Sequence, residues 1–313
     1  MPPTETTAEA APAVRPARAE ASASSTDAAG LGRWRAFGFT APALALIAVF
    51  LVFPALWTLY IGLTNFRLTG AEARSPAFVG LDNYSRALTD ETFWNSLWLT
   101  LLFVLGSAVL GQNVFGFLLA YALRAAGTVL RRMVEALVLL AWILPSSVVA
   151  FLWIAMLDRD AGTLNNILGG ATAWLVEYPM ISIVVFNIWR GTAFSMMLYG
   201  AALTSVPPSH LETARLAGSG RWQTLRDVVL PHLRPYVLTN TLLISLWTFN
   251  DFTPFLLTAG GPGNESEIVP VYIYNTAIIG GDMGYSGAIS LLVLLINLGL
   301  ALVYLRASKV RGS

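Results

Sequence analysis

Two residues of opposite charge stand where charge is least expected. Arg190, in "FNIWRGTAF", and Asp251, in "WTFNDF", are the only charged residues well inside long apolar runs. A charge at the centre of a bilayer costs about 2.5 to 3.5 kcal/mol on insertion scales, so such residues normally face a partner or a water-filled path. Three chemistries are open to them: a buried ion pair tying two helices together, a polar lining for a hydroxyl-rich solute, or, at Asp251, a protonatable site for ion-coupled transport. Thr248 and Asn250, with Trp189, Phe194, Trp247, Phe249 and Phe252, favour the lining. Saccharides are held by amide and carboxylate hydrogen bonds and by aromatic faces against their C–H surfaces. Aromatic residues in a span are equally ordinary packing.

Other chemistries lack their residues. There is no glycine-rich loop ending in Gly-Lys-Ser or Gly-Lys-Thr, and Lys309 is the one lysine, so ATP cannot be bound by a phosphate loop of this chain. Neither a His-Glu-x-x-His helix nor a Gly-x-Ser-x-Gly elbow is present, which argues against a hydrolase. With no cysteine, thiolate metal sites are excluded, and His210 and His232 alone leave little for a histidine metal site. No cofactor is expected on this chain.

The elements that must position Arg190 and Asp251 follow from hydropathy. The 313 residues are 56% hydrophobic and 12% charged with a mean hydropathy of +0.63, which describes an integral membrane protein. About 20 apolar residues are needed to cross the hydrocarbon layer at about 1.5 Å each. Six windows meet this: roughly Phe37 to Leu63, Ser96 to Leu123, Val134 to Leu157, Tyr178 to Thr204, Tyr236 to Thr258 and Gly284 to Leu305. Backbone polar groups must be satisfied inside lipid, so each window is expected to be helical, with kinks at Pro42, Pro54, Pro145 and Pro254. Arg190 and Asp251 then fall at matching depths in the fourth and fifth spans. The first 36 residues, rich in Ala, read as a disordered tail, 37–306 as the membrane domain and 307–313 as a second tail. The apolar run after Arg35 is too long for a cleaved signal and reads as an anchor.

Arginine placement orients the chain. Arg15, Arg18, Arg33 and Arg35, then Arg124, Arg131 and Arg132, then Arg215, Arg221, Arg226 and Arg234, and finally Arg306, Lys309 and Arg311 fall on one side. The other side has only Arg67, Arg74, Arg86 and Arg159. Basic residues are favoured on the cytoplasmic side, so both termini are expected there.

The cytoplasmic connection between the fourth and fifth windows, 205–235, holds "ETARLAGSGRWQTLRDVVLP". Ser209 and Glu212 fit a capping box. Gly218 and Gly220 break the helix, and Trp222, Leu225 and Val229 then recur at helical spacing until Pro231 and Pro235 end the second piece. Read alone, this is an interfacial hairpin lying on anionic lipid, or a docking element for another protein. The segment resembles the signature of permease subunits of bacterial binding-protein-dependent ABC importers: Glu212, Ala214, Gly218, Val228, Leu230 and Pro231 match, Thr213 replaces an Ala, and Ala217 stands where Asp is common. "FVGLDNY", "GTLNNIL", "WRGTAF", "WTFNDF" and "LTAGGPGN" extend the resemblance to the carbohydrate branch, in the pair member with a Gly-Gly-Pro loop.

That resemblance implies an all-α permease of six transmembrane helices with a cytoplasmic coupling helix, in a bacterial plasma membrane. Partners would be a second permease, two ATPase subunits that bind ATP and magnesium, and an extracytoplasmic binding protein delivering a sugar or polyol; no nucleic acid is involved. Glu212, Ala214, Gly218, Trp222, Leu225 and Pro231 would serve ATPase coupling. Arg190, Gly191, Phe194, Thr248, Asn250 and Asp251 would line the solute path. The "FVGLDNY" and "GGPGNESE" loops would receive the binding protein or stay merely solvated, and Tyr272, Tyr274 and Asn275 would gate the outer mouth or anchor at the interface.

Overall fold

The computed structural model describes residues 33–309, and among them there is no β-strand, only the isolated bridges Thr64↔Phe78 and Arg67↔Asp282. The tails expected at 1–36 and 307–313 fall outside these residues except for helical backbone at 33–36 and 307–309. The chain divides into two compact units at Ala55. The first holds most of α1 (Phe37–Gly62), which keeps Pro42 inside the helix and passes through a π-helical stretch, Ala48–Val52, before Pro54.

The second unit carries everything else. Its principal helices are α2 (Asp82–Thr89), α3 (Glu91–Leu123), α4 (Thr128–Ile143), α5 (Ser146–Met156), α6 (Pro179–Thr204), α7 (Pro208–Leu216), α8 (Leu230–Phe249), α9 (Pro254–Thr258), α10 (Val269–Tyr274) and α11 (Met283–Lys309). Four helices, α1, α3, α6 and α11, are long and apolar enough to cross a bilayer, and five spans result if α4 and α5 count as one. Membrane insertion through several apolar helices is therefore built into the fold.

Two windows differ from expectation. The third is not a kinked helix but two helices bent by 103°. Pro145 disfavours helical geometry in the residue before it, and Leu144 sits at φ −58, ψ 139, which ends α4 outright. The fifth stops at Phe249, because Asn250 turns its amide back to the Leu246 carbonyl (2.8 Å) and Asp251 accepts the Thr253 backbone N–H (2.9 Å). Short polar side chains that bond nearby backbone compete with the helical ladder. Pro254 then restarts the chain as α9, its missing N–H harmless in a first turn.

The connection after α6 also departs from expectation. No capping box joins Ser209 and Glu212: α7 begins at Pro208, whose fixed φ already suits a first turn, and Ser209 lies inside it. Pro231 and Pro235 do not end the second piece, since Arg221–Thr224, Leu225–Val229 and α8 run on as one helix. The middle stretch is π-helical, with Leu230 N–H bonded to the Leu225 carbonyl, and this one-residue offset leads directly into the prolines.

Close approach of α3 and α6 fixes the centre. A Cβ on Gly111 would fall 2.3 Å from Ile188, one on Gly116 2.4 Å from Ser195, and one on Gly191 2.2 Å from Gln112. Where lipid is as apolar as the side chains, small residues that let backbones meet, and hydrogen bonds between helices, hold a bundle together. The bonds are present. Asn187 donates to Ser107 (2.7 Å) and Thr248 (3.2 Å), joining α6 to α3 and α8. Lower down, Asn113 Oδ1 accepts from Tyr199 and from Asn240 (2.9 Å), and Asn240 also donates to Ser195 (3.0 Å).

Candidate functional site

Arg190 lies near the middle of α6, 11 residues from Pro179 and 14 from Thr204, so at about 1.5 Å per residue it is roughly 17 and 21 Å from the two ends. Asp251 reaches it from the break after α8. Arg190 Nη1 is 3.3 Å from Asp251 Oδ2 and 3.4 Å from Thr253 Oγ1, while Nη2 donates to Ser146 Oγ at 2.6 Å. Asp251 Oδ1 accepts from Thr253 N–H at 2.9 Å and Oγ1–H at 2.6 Å. The breaks at Pro145 and Asn250 thus supply the guanidinium's partners: Ser146 opens α5 behind the first, and Asp251 and Thr253 lie in the second.

The pair stands at the wall of a cavity of about 520 Å³. Of the residues expected to line a path, Arg190, Gly191, Thr248, Asn250 and Asp251 border this cavity. Phe194 stands just behind, its ring 4.7 Å from Trp247 and 5.8 Å from Trp142, and both indoles face the cavity. Three other aromatics do not join them: Trp189 turns to Trp153 on a separate apolar groove, Phe249 is buried in the core, and Phe252 stacks on Phe255. Gln112, Trp142, Ser146 and Asn187 were not anticipated. Gln112 and Asn187 had a signal, as carboxamides within apolar runs, whereas Ser146 had none.

A second cavity of about 610 Å³ lies farther along the same face of α6. Arg190, Phe194, Met197, Ala201 and Thr204 recur at the 4-3-4-3 spacing of one helical face, and the last three border this second cavity together with Arg124, Arg131 and Glu135. Along α6, Phe194 falls between Arg190 and Gly191, which border the first cavity, and Met196 and Met197, which border the second.

At that end of the bundle the connection after α6 splits by face. Val206 and Ala214 are buried and Leu211 packs onto the core, while Glu212, Leu216 (91% exposed) and Trp222 (70% exposed) point outward. Gly218, at φ +77, makes the turn after α7, and its N–H bonds the Arg215 carbonyl at 3.0 Å. Leu225 packs inward, and Pro231 is exposed inside the continuous helix.

The opposite end is locked by loops. Asp90 caps α3, its Oδ1 accepting Thr92 N–H (2.8 Å) and its Oδ2 the hydroxyls of Tyr272 and Tyr285 (both 2.6 Å). Burial alone would raise the Asp90 pKa, but these hydrogen bonds outweigh it and hold the carboxyl below its ordinary value. Arg86 stacks 3.9 Å above the Tyr285 ring and pairs with Asp282 at 2.8 Å. In "LTAGGPGN", Ala259, Gly260, Gly261, Gly263 and Asn264 all have positive φ, a tight loop that the glycines make possible. Asn165 of "GTLNNIL" donates to the Asp158, Arg159 and Thr172 carbonyls, and Asn83 of "FVGLDNY" to those of Gly62 and Thr64.

Residues 112–310 match the family model described as "Binding-protein-dependent transport system inner membrane component". The chain belongs to this family. The permease is 30% identical to a probable ABC transporter permease protein of Pyrococcus horikoshii, across 85% of this chain and 93% of the other. It is 29% identical to the trehalose/maltose transport system permease protein of Thermococcus litoralis, across 86% and 92%. In fold, the permease is similar to a chain of a bacterial ABC transporter involved in import of the acidic polysaccharide alginate, with TM-score 0.76, 21% identity and coverage of 90% and 96%. The permease is a transport component of the inner membrane, and it is not an enzyme.

Proposed function

We propose that this permease forms half of the pathway of an ATP-driven importer for a sugar or polyol, and that the solute passes along the Arg190 face of α6. The observation that supports this reading is the cavity holding Arg190 and Asp251 within an apolar bundle. It combines hydrogen-bonding groups with two indoles, and a second cavity continues on the same helix face beyond Phe194. The named transport of trehalose and maltose by a relative 29% identical agrees with it.

In this reading six spans cross the membrane, the α4–α5 pair counting as the third and α8 with α9 as the fifth. Both termini and α7 are cytoplasmic. A second permease completes the path, two ATPase subunits bind ATP and magnesium, and an extracytoplasmic binding protein delivers solute to the loops at the Asp90 end. Glu212, Leu216 and Trp222 face the ATPase while Val206, Leu211 and Ala214 grip the bundle, so motion of the ATPase is passed to α6 and α8. A short helix with an apolar ridge docks in a groove. The ion-coupled alternative needs a carboxyl free to exchange its partner, but both Asp251 oxygens are bonded to Arg190 or Thr253.

Copurification with the encoded neighbouring subunits, then ATP hydrolysis in liposomes stimulated by loaded binding protein, tests this. Uptake by the lone chain, collapsed by a proton uncoupler and indifferent to ATP, would overturn it.

A further inference from the structure

The two charges at the wall of the 520 Å³ cavity cancel. Among the described residues Arg190 is its one cation and Asp251 its one anion, with side chains 24% and 15% exposed, so both are partly withdrawn from solvent while still bordering the space. The guanidinium is held by a carboxylate and two hydroxyls, those of Asp251, Thr253 and Ser146. Asp251 is itself fixed by two bonds from Thr253. The other polar groups at this wall are uncharged: the indoles of Trp142 and Trp247 and the carboxamides of Gln112, Asn187 and Asn250, whose NH2 groups already bond within the protein.

We infer that the cavity selects an uncharged polyhydroxylated solute over its anionic counterpart, and that Asp251 sets this preference by cancelling Arg190. The inference rests on the reading of this cavity as the solute site. A carboxylate, phosphate or sulfate brought to Arg190 would have to displace Asp251 or lie beside it, and like charges in a partly dehydrated space repel strongly. An uncharged sugar or polyol meets neither penalty. Its hydroxyls donate to carboxamide oxygens, and its C–H face lies on an indole. Removing the charge of Asp251 alone leaves a guanidinium with spare donors, which suits bidentate capture of a carboxylate.

The test uses the full chain with its copurifying subunits in nanodiscs, without binding protein. Equilibrium binding is measured for a panel of neutral hexoses, polyols and disaccharides and for the corresponding uronic or aldonic acids. The wild type is expected to bind its best neutral member at least tenfold more tightly than the matching acid. Asp251→Asn should cut that ratio tenfold or more. The double variant Arg190→Gln with Asp251→Asn, which removes both charges together, should restore a ratio near the wild type. A wild type that prefers the acids, or an Asp251→Asn change that shifts both panels equally, overturns the role of charge and leaves the solute site standing. Failure to bind either panel, in a wild type that melts cooperatively, removes the solute site and this inference with it.

Discussion

Gly116 lies so close to Ser195 that a Cβ on the glycine would fall 2.4 Å from the Ser195 Cβ and 2.9 Å from the Met196 backbone nitrogen. Neither obstacle is the loose end of a side chain. Gly116→Ala must therefore push α3 and α6 apart, at a cost of about 1 to 3 kcal/mol by comparison with other overpacked cores. Thermal melting in detergent should show a lower midpoint. At Gly191 the obstacle is the flexible end of Gln112, so Gly191→Ala should cost less stability but break the Gln112 bond to the Asn187 carbonyl (3.0 Å) and intrude on the cavity. Its signature is uptake lost with a melting point changed less than in Gly116→Ala.

Phe194, between the two cavities, is expected to act as a barrier. Phe194→Ala removes one of three mutually packed rings and leaves Arg190 and Asp251 in place. Solute efflux from preloaded liposomes containing the assembled complex should rise at least tenfold without ATP, with ATP hydrolysis retained. Efflux equal to wild type would show that the barrier lies elsewhere.

How much of this was written in the sequence follows from what each element depends on. Spans that rest on uninterrupted apolar length, at α1, α3, α6 and α11, were legible from hydropathy alone. The third and fifth windows were legible as apolar but not as broken, because the break at Leu144 depends on the backbone angle that Pro145 imposes, and the one at Asn250 on side-chain bonds to Leu246 and Thr253. Arg190 and Asp251 stood out because charge within an apolar run is expensive. Ser146 could not, since a serine after a proline has many uses and only the 103° bend brings it to the guanidinium. At the α7 end the pattern placed Trp222 on one ridge with Leu225 and Val229, yet Trp222 faces outward while the other two pack inward. Periodicity assigns a face to a helix but not the partner that covers it.

The Asp90 hub makes stability depend on pH in a definite direction. Its folded pKa is depressed, so the stabilisation is fully present above the unfolded carboxylate value of about 3.9 and is lost as pH falls through the lower folded value. Melting points should be insensitive to this group from neutral pH down to about pH 5 and should drop below about pH 4. Replacing Tyr272 and Tyr285 together by Phe removes two hydroxyl donors to the carboxylate, worth about 1 kcal/mol or more each as bonds to a charged group. The double variant should melt lower at pH 7 and lose less on acidification. An acid profile parallel to wild type would mean that another carboxylate governs it.

Trp222 and Leu216 offer the cleanest separation of folding from coupling. Both are largely exposed, at 70% and 91%, in the connection whose inner side carries the buried Ala214, so truncating either removes little contact within this chain. Surface changes of this kind usually alter stability by about 0.5 kcal/mol or less. If these side chains fill a groove on the ATPase, Trp222→Ala and Leu216→Ala should leave insertion and melting near wild type but lower solute-stimulated ATP hydrolysis about tenfold or more, since buried aromatic anchors carry much of an interface. Gly218→Ala should act differently. A side chain at φ +77 costs about 1 to 2 kcal/mol, and relief of that strain would re-aim α7 relative to the helix beginning at Arg221. Basal ATP hydrolysis by the bound ATPase should then persist while its response to solute falls. Full transport in all three variants would mean that the outward side of the connection between α6 and α8 is not where force enters the permease.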